Sequence, residues 1–338
     1  MIEISYLITL VIINLILLFY FKQISYFINL YDYPDKSRKI HKNKISCIGG
    51  IYLFLNISYL FVFDYLFNNL LISNLFFEFK TSKFLFFYFS LLLIFMMGIY
   101  DDRFDLKPNF KIIFLSLILL FLSSVDQDLT IKYLRFSFTD NIYDISNISI
   151  YFTIFCILVF INAFNMYDGS NLQCSSISIV IFLFFFSINS LFDYFSLTII
   201  VCLTFFSILN YKNKLFFGDN GSLLLSFLIS YFFIKYYNKE LILYADLVCL
   251  FLLLPVLDLF RLFILRILNG HSPFKPDQNH IHHMIINRFN ANKGKYILFL
   301  LYFIPVFFGF ITKQYLLFIL IQIIVYIITY LFLKKVND

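Results

Sequence analysis

Two adjacent carboxylates, Asp101 and Asp102, stand in the turn Gly98-Ile99-Tyr100-Asp101-Asp102-Arg103-Phe104-Asp105, directly after the apolar run 84–97. Like charges side by side repel. Burying either one beside a bilayer is costly unless a cation, a basic ligand or a transferable proton offsets it. Taken alone, the pair also fits a solvated helix end carrying stop-transfer charges.

Four further polar clusters weigh against that bland alternative. Asp32-Tyr33-Pro34-Asp35-Lys36-Ser37-Arg38-Lys39-Ile40-His41 runs on to Gly49-Gly50. Its basic residues would anchor to anionic lipid, and its paired glycines permit close approach of a ligand or a neighbouring helix. In Asn162-Ala163-Phe164-Asn165-Met166-Tyr167-Asp168-Gly169, Asn162 and Asn165 share a helix face with Asp168 next along it. Helix C-capping accounts for Gly169 but not for Asn165. Phe216-Phe217-Gly218-Asp219-Asn220-Gly221-Ser222 leads into another apolar run. There Asp219 suits either an N-cap or a metal beside phosphates facing helix N–H groups. The last cluster joins Asp258, Arg261 and Arg266 to the stretch from Gly270 through His280-Ile281-His282-His283. A zinc site is one reading of His280, His282 and His283. No thiolate accompanies them, and histidines in an Arg/Lys-rich loop suit a diphosphate equally well. Carboxylates and an amide for Mg²⁺, bases for phosphate and an apolar body for a lipid together make a constellation for phosphoryl transfer.

The elements that must position these groups are membrane spans. Of 338 residues, 61% are hydrophobic and 14% charged, against about 45–50% and about 25% in soluble domains. Apolar runs of spanning length occupy 4–21, 48–67, 84–100, 110–125, 149–164, 174–191, 194–210, 221–237, 243–265, 296–312 and 314–333. The chain is therefore expected to be an all-α polytopic membrane protein of about 10–11 transmembrane helices, forming one integral membrane domain over residues 1–338. The first run lacks a basic leader and a small-residue cleavage site, and reads as a retained span. Fifty phenylalanines and no tryptophan reflect a compositional bias that fills lipid-facing positions. The five cysteines show no CxxC spacing, so neither a disulfide framework nor a zinc knuckle follows.

Of the 26 Lys and Arg, 19 fall on one set of loops and 7 on the other. That asymmetry makes the richer set cytoplasmic, with the N-terminus outside and the C-terminus inside. All five polar clusters then face the cytoplasm. Segment 126–148 alternates β-branched and aromatic residues around Leu129-Thr130-Ile131-Lys132-Tyr133, the pattern of a small outer β-hairpin.

In order and spacing, these five clusters resemble the motifs of the polyprenyl-phosphate N-acetylhexosamine-1-phosphate transferases, glycosyltransferase family 4. That family is related to the phospho-N-acetylmuramoyl-pentapeptide transferases. The resemblance implies transfer of a sugar 1-phosphate from a UDP-N-acetyl sugar to undecaprenyl phosphate, releasing UMP and requiring Mg²⁺, with Mn²⁺ as a substitute. It makes Asp219 a metal ligand that Asn165 joins, and Asp101, Asp102 and Asp168 the catalytic carboxylates. Phe216 is implied to stack on uracil, and Asn162 and Arg261 to line the substrate site. Arg38, Lys39 and His41 match the family's first basic motif, and His280, His282 and His283 its histidine motif. The HIHH wording favours the N-acetylhexosamine branch over the muramoyl-pentapeptide branch, and hence assembly of a cell-wall, lipopolysaccharide or O-antigen glycan. Two departures stand out: Asn171 and Leu172 replace the second half of a DG-x-DG motif, and Ser46 stands where proline is common. The implied location is the bacterial inner membrane. A homodimer is compatible with the reading, and no nucleic-acid partner is expected. The competing classes are an ion-coupled secondary transporter using Asp258, Arg261 and the acidic pair, and an inactive relative serving as an assembly partner.

Overall fold

The computed structural model describes residues 2–34, 43–67, 71, 82–188, 193–274 and 277–337. Its helices are α1 (Ile2–Phe19), α2 (Phe21–Ile28), α3 (Gly49–Leu66), α4 (Ser82–Phe104), α5 (Pro108–Val125) and α6 (Ser149–Tyr167). They continue with α7 (Gln173–Ile188), α8 (Tyr194–Tyr211), α9 (Gly218–Asn238), α10 (Ala245–Leu268), α11 (Ile281–Thr312) and α12 (Tyr315–Asn337). Two short antiparallel pairs join them: β1 (Tyr31–Asp32) with β2 (Ile45–Ser46), and β3 (Tyr133–Arg135) with β4 (Ile142–Asp144).

The protein is thus an all-α polytopic membrane protein. Among the described residues, nine helices are long and apolar enough to cross a bilayer. The other two expected spans correspond to α7, only 16 residues long, and α9, which opens on the polar Gly218-Asp219-Asn220. Helix α2 falls in a segment expected to be a loop, and Asn29 ends it in the left-handed region at φ 53°. The connection between the runs 174–191 and 194–210 lies partly outside the described residues. Between α11 and α12, Lys313 turns the chain at φ 59°. Helix α11 is broken at Asn290 (φ 67°, ψ 164°), so its histidines ride on a short segment separate from the spanning part.

The chain divides into two compact units, Met1–Gln127 with Ser178–Ile229, and Asp128–Ile177 with Ser230–Asp338. In the first, α8 packs on α1 and α3, and α4 packs on α5. Its core is apolar with a few polar ties. Asn14 and Asn56 exchange side-chain amide hydrogen bonds at 2.6 and 3.2 Å, fully buried, and the Tyr52 hydroxyl donates to Leu17 O. In hydrocarbon such groups must satisfy each other, since no water can. In the second unit, α10 packs on α6, α11 and α12. The β3–β4 hairpin lies in the segment whose alternation predicts one. It is pinned by Arg135 to Glu240 at 2.9 Å, and by the Ser137 N–H donating to Asp246 at 3.1 Å.

Candidate active site

In the first unit, the acidic turn folds inward instead of out to solvent: Asp101 is buried and Asp102 half-buried. Asp102 caps α9. Its Oδ1 accepts the Asp219 N–H at 2.8 Å; its Oδ2 accepts the Asn220 N–H at 3.0 Å and also the Asn220 side-chain amide. The first N–H groups of a helix lack partners within it, and its positive end favours an anion there. Asp219 is therefore not its own helix's cap, as its place between glycines allowed, but a first-turn residue set forward by a cap from α4. Gly218 holds φ +69°, and a Cβ on it would lie 2.7 Å from Asp102 Oδ2. A Cβ on Gly50 or Gly98 would overlap the backbone of Asn220. The paired glycines thus serve close approach of a neighbouring helix.

Asp101 has a different set of partners. Its Oδ1 accepts the Leu106 N–H at 2.8 Å, and its Oδ2 pairs with the Lys111 ammonium, which also reaches Asp219 Oδ2 at 3.1 Å. Lys111 is absent from the residues the motifs single out. A signal did exist: it lies in the first turn of α5, where the helix dipole disfavours a cation unless carboxylates face it. Among the described residues, Asp101 and Asp219 share this one ammonium, and Asp102 joins them at the same helix terminus through the Asp219 N–H. The donors are hard oxygens with surplus negative charge, and Asp219 keeps about a third of its side chain exposed. Such a set fits Mg²⁺ or Mn²⁺.

Phe216 is half-exposed, and its backbone is fastened on both sides. Its N–H donates to Ser46 O at 2.8 Å, and its carbonyl accepts the Gly49 N–H at 3.1 Å. The neighbouring ring of Phe217 is buried and stacks on Phe206 at 4.0 Å. Ser46, in the place where proline is common, lends its carbonyl to this clamp. Strands β1 and β2 flank residues 35–42, so Arg38, Lys39 and His41 lie outside the described residues.

In the second unit, α6 ends where the Asp168 N–H donates to Phe164 O and Asn165 O. Asn162, Asn165 and Asp168 are half-buried there, and the Asn162 amide donates to Leu158 O at 2.7 Å. Asn165 is thus in the second unit and Asp219 in the first. The expected C-capping role of Gly169 does not hold. The cap is Asp168, and Gly169 is not among the residues of positive φ. Its missing side chain instead makes room for His282, since a Cβ would overlap that imidazole ring. The departures Asn171 and Leu172 shape the turn beyond it. Asn171 is buried, and Leu172 takes φ 67°, a strained setting for a residue with a γ-branched side chain.

His280, His282 and His283 form a stack. Ring centroids lie 5.1 Å apart for His280 and His282, and 4.2 Å for His282 and His283. His282 is fully buried, and neither ring nitrogen has a hydrogen-bond partner among the described residues. Beneath the stack lies the carboxylate of Asp258. Its Oδ1 accepts from Arg261 Nη2 at 2.7 Å, from the Tyr326 hydroxyl at 2.8 Å and from the Ile281 N–H at 3.2 Å. Its Oδ2 meets His280 Nδ1 at 3.1 Å. Asp258 therefore does for α11 what Asp102 does for α9. One metal-ligand atom from each of Asp258, His280 and His282 falls within 4.8 Å of the others. With Arg261 already neutralising the carboxylate, however, the set balances its charge without a metal. Arg261 is further held by Asn279 O at 2.6 Å and lies 4.7 Å over the Tyr330 ring. Tyr326 is a second residue the motifs do not reveal, because one tyrosine inside an apolar span carries no mark of its partner. Nearby, Arg266 donates to Asp277 at 2.8 Å and to Pro273 O at 2.6 Å. Burial alone would raise the Asp277 carboxyl, but the Arg266 and Asn279 hydrogen bonds outweigh it and hold the group below the usual carboxylate range.

Residues 84–237 match the model of "Glycosyl transferase family 4". Several curated proteins are similar over most of the chain, each named undecaprenyl-phosphate alpha-N-acetylglucosaminyl 1-phosphate transferase. The protein of Salmonella typhi is 26% identical over 306 residues, covering 87% of this chain and 79% of its own. That of Escherichia coli (strain K12) is 24% identical over 293 residues, covering 83% and 76%. That of Thermotoga maritima is 27% identical over 315 residues, covering 90% of each.

Proposed function

We propose that this chain, whose residues 84–237 match glycosyl transferase family 4, is a member of that family and transfers an N-acetylhexosamine 1-phosphate from a UDP-sugar to undecaprenyl phosphate. UMP is released, and the product begins a lipid-linked cell-envelope glycan. The names of the relatives make N-acetylglucosamine the first donor to try, ahead of a muramoyl-pentapeptide. The observation that carries the reading is the pair of carboxylates Asp101 and Asp219 on one ammonium, Lys111, with Asp102 capping the helix α9 that presents Asp219. A transporter using the same groups would be expected to set them near the bilayer midplane on broken helices; the Asp102 cap instead ties them to helix termini.

In the transfer, an oxygen of the lipid phosphate attacks the β-phosphorus of the UDP-sugar. A new P–O bond forms, the bond to the α-phosphate oxygen breaks, and UMP leaves with that electron pair. Asp219 would hold Mg²⁺. When bound, the ion offsets charge on the diphosphate. Lys111 supplies fixed positive charge beside it, and Asp102 holds the helix that sets Asp219 in place. Asp101 is the proton acceptor. Its contribution is modest, because a phosphate monoester already ionises with a second pKa of about 6. Asp168 and Asn162 at the end of α6, Phe216, and the histidines with Arg261 bind the donor. Arg38, Lys39 and His41 add positive charge from the first loop.

The whole chain acts as one transferase in the bacterial inner membrane. Eleven helices cross it, the N-terminus and the β3–β4 hairpin lie outside, and the C-terminus and all five polar clusters lie in the cytoplasm. The basic asymmetry, 19 against 7 of 26 residues, supports that orientation. The test incubates membranes holding the protein with undecaprenyl phosphate and a panel of UDP-N-acetyl sugars, and identifies products by mass. A lipid-linked sugar diphosphate with UMP, abolished by EDTA, is expected. Release of UDP would mean ordinary glycosyl transfer and would overturn the reading.

A further inference from the structure

We propose that Tyr326, on α12 and beyond the segment that matches the family, is a positioning residue for His280. Its hydroxyl donates to Asp258 Oδ1 at 2.8 Å and accepts from Arg261 Nε at 2.7 Å, closing a ring of three side chains. Tyr326 and Asp258 are both buried. Tyr330, one turn further along α12, places its ring under the same guanidinium at 4.7 Å. With Oδ1 committed to these partners and to the N–H of Ile281, the carboxylate cannot rotate, and Oδ2 is left facing His280 Nδ1 at 3.1 Å.

The consequence lies in the tautomer. An ionised carboxylate only accepts hydrogen bonds, so the imidazole nitrogen facing it must carry the proton. His280 Nδ1–H then points inward, and Nε2 is presented with its orientation set. Support of this kind, a second residue fixing the ring that meets a ligand, commonly decides how well the ligand is held. Losing the hydroxyl would leave Asp258 Oδ1 and Arg261 Nε short of a partner in a buried setting, where a charge-assisted hydrogen bond matters most. The ring would stay, so packing of α12 against α10 would not change.

The inference rests on the reading of His280 as a ligand for the donor's diphosphate, and two arms keep their failures apart. The first looks at the ring itself. The chain has five histidines, so the ¹⁵N-histidine spectrum of the full protein in nanodiscs is assignable by single substitutions. His280 should show the Nδ1–H tautomer in the parent and a mixture with Nε2–H in Tyr326→Phe. An unchanged His280 signal overturns the proposal, whatever the enzyme does. The second arm is a double-mutant cycle on KM for the UDP-sugar. Tyr326→Phe should raise KM about ten-fold with kcat little altered, the size of one charge-assisted hydrogen bond, and should have no further effect in a His280→Ala background. Additive effects would mean that Tyr326 does not act through His280 and would also overturn it. Should the parent release no UMP from any UDP-sugar, the proposed function fails and the spectrum alone decides the positioning role.

Discussion

Asp102 Oδ1 accepts the backbone N–H of Asp219 at 2.8 Å, across 117 residues of sequence. The carboxylate adjacent to Asp101 is thereby spent on holding the helix that presents Asp219. The two members of the acidic pair should respond differently to the same substitution.

Asp102→Asn removes the charge from the α9 cap. One of its two accepting oxygens becomes an amide donor facing N–H groups of Asp219 and Asn220, and a buried donor left unmatched costs about 1–3 kcal/mol, so this variant should melt several degrees below the parent in nanodiscs and lose activity. Asp101→Asn should leave the melting temperature close to that of the parent. Its rate loss, about 10²–10⁴ for a general base, should be partly regained at higher pH as the lipid phosphate ionises by itself. Equal thermal shifts for both variants would remove the distinction.

Lys111 and Asp219 make the second prediction. The ammonium stands where it competes with a divalent ion for Asp219 Oδ2. Lys111→Met should lower the Mg²⁺ concentration giving half-maximal rate by several-fold, while the maximal rate falls. Asp219→Asn should raise that Mg²⁺ demand. A Mg²⁺ titration of initial rates for the three proteins decides it; a raised demand in the Lys111 variant would contradict the placement.

Gly169 and His282 make the third. A Cβ at 169 would overlap the His282 ring, and overpacking of this kind costs about 1–3 kcal/mol. Gly169→Ala should raise KM for the UDP-sugar about ten-fold or more, because the ring must shift. Exchange of Gly270, whose Cβ would meet nothing within 4 Å, carries backbone strain alone and should leave KM near the parent value. Kinetics of the two alanine variants at saturating lipid separate the cases.

The Asp277–Arg266 pair gives a pH prediction. A carboxylate held below its usual range contributes stability above its unfolded pKa of about 3.9, lost as pH falls through the lower folded value. Asp277→Asn should therefore melt below the parent at pH 6, and the gap should close as the pH is taken below 4. Melting curves across that range check it; a gap that widens with acid would reverse the sign.

Topology is the last. In a background free of cysteine, Asn43→Cys, Asp105→Cys, Asn213→Cys and His271→Cys occupy exposed positions beside the polar clusters, and Tyr143→Cys an exposed position in the β3–β4 hairpin. An impermeant thiol reagent added outside should label the last alone. Labelling of any of the first four from outside would break up the proposed common face.

The spans were legible because a helix in lipid must be continuously apolar over its whole length, and each of the eleven runs contains or overlaps a helix. Helix α2 was not, since eight residues with Lys22 and Gln23 read as loop by composition. The acidic pair was legible as costly, but not as divided in role, because the N–H groups that Asp102 satisfies belong to a distant segment. Gly169 shows the same limit. Its type suggested a helix cap, a local reason, whereas the cause is the bulk of His282 more than a hundred positions later. Tyr326 left no trace, as its value lies wholly in what Asp258 and Arg261 need.

Asn14 and its partner Asn56 are 42 residues apart, and the chain is made in order. At about 5–20 residues per second, α1 reaches the membrane a few seconds before the amide that completes it exists. During that interval Asn14 has only its own helix, through Leu10 O at 2.9 Å. In hydrocarbon, where no water can stand in, the rest of the Asn14 amide stays unsatisfied at a cost until Asn56 arrives. The first span is thus built to wait for the next long one.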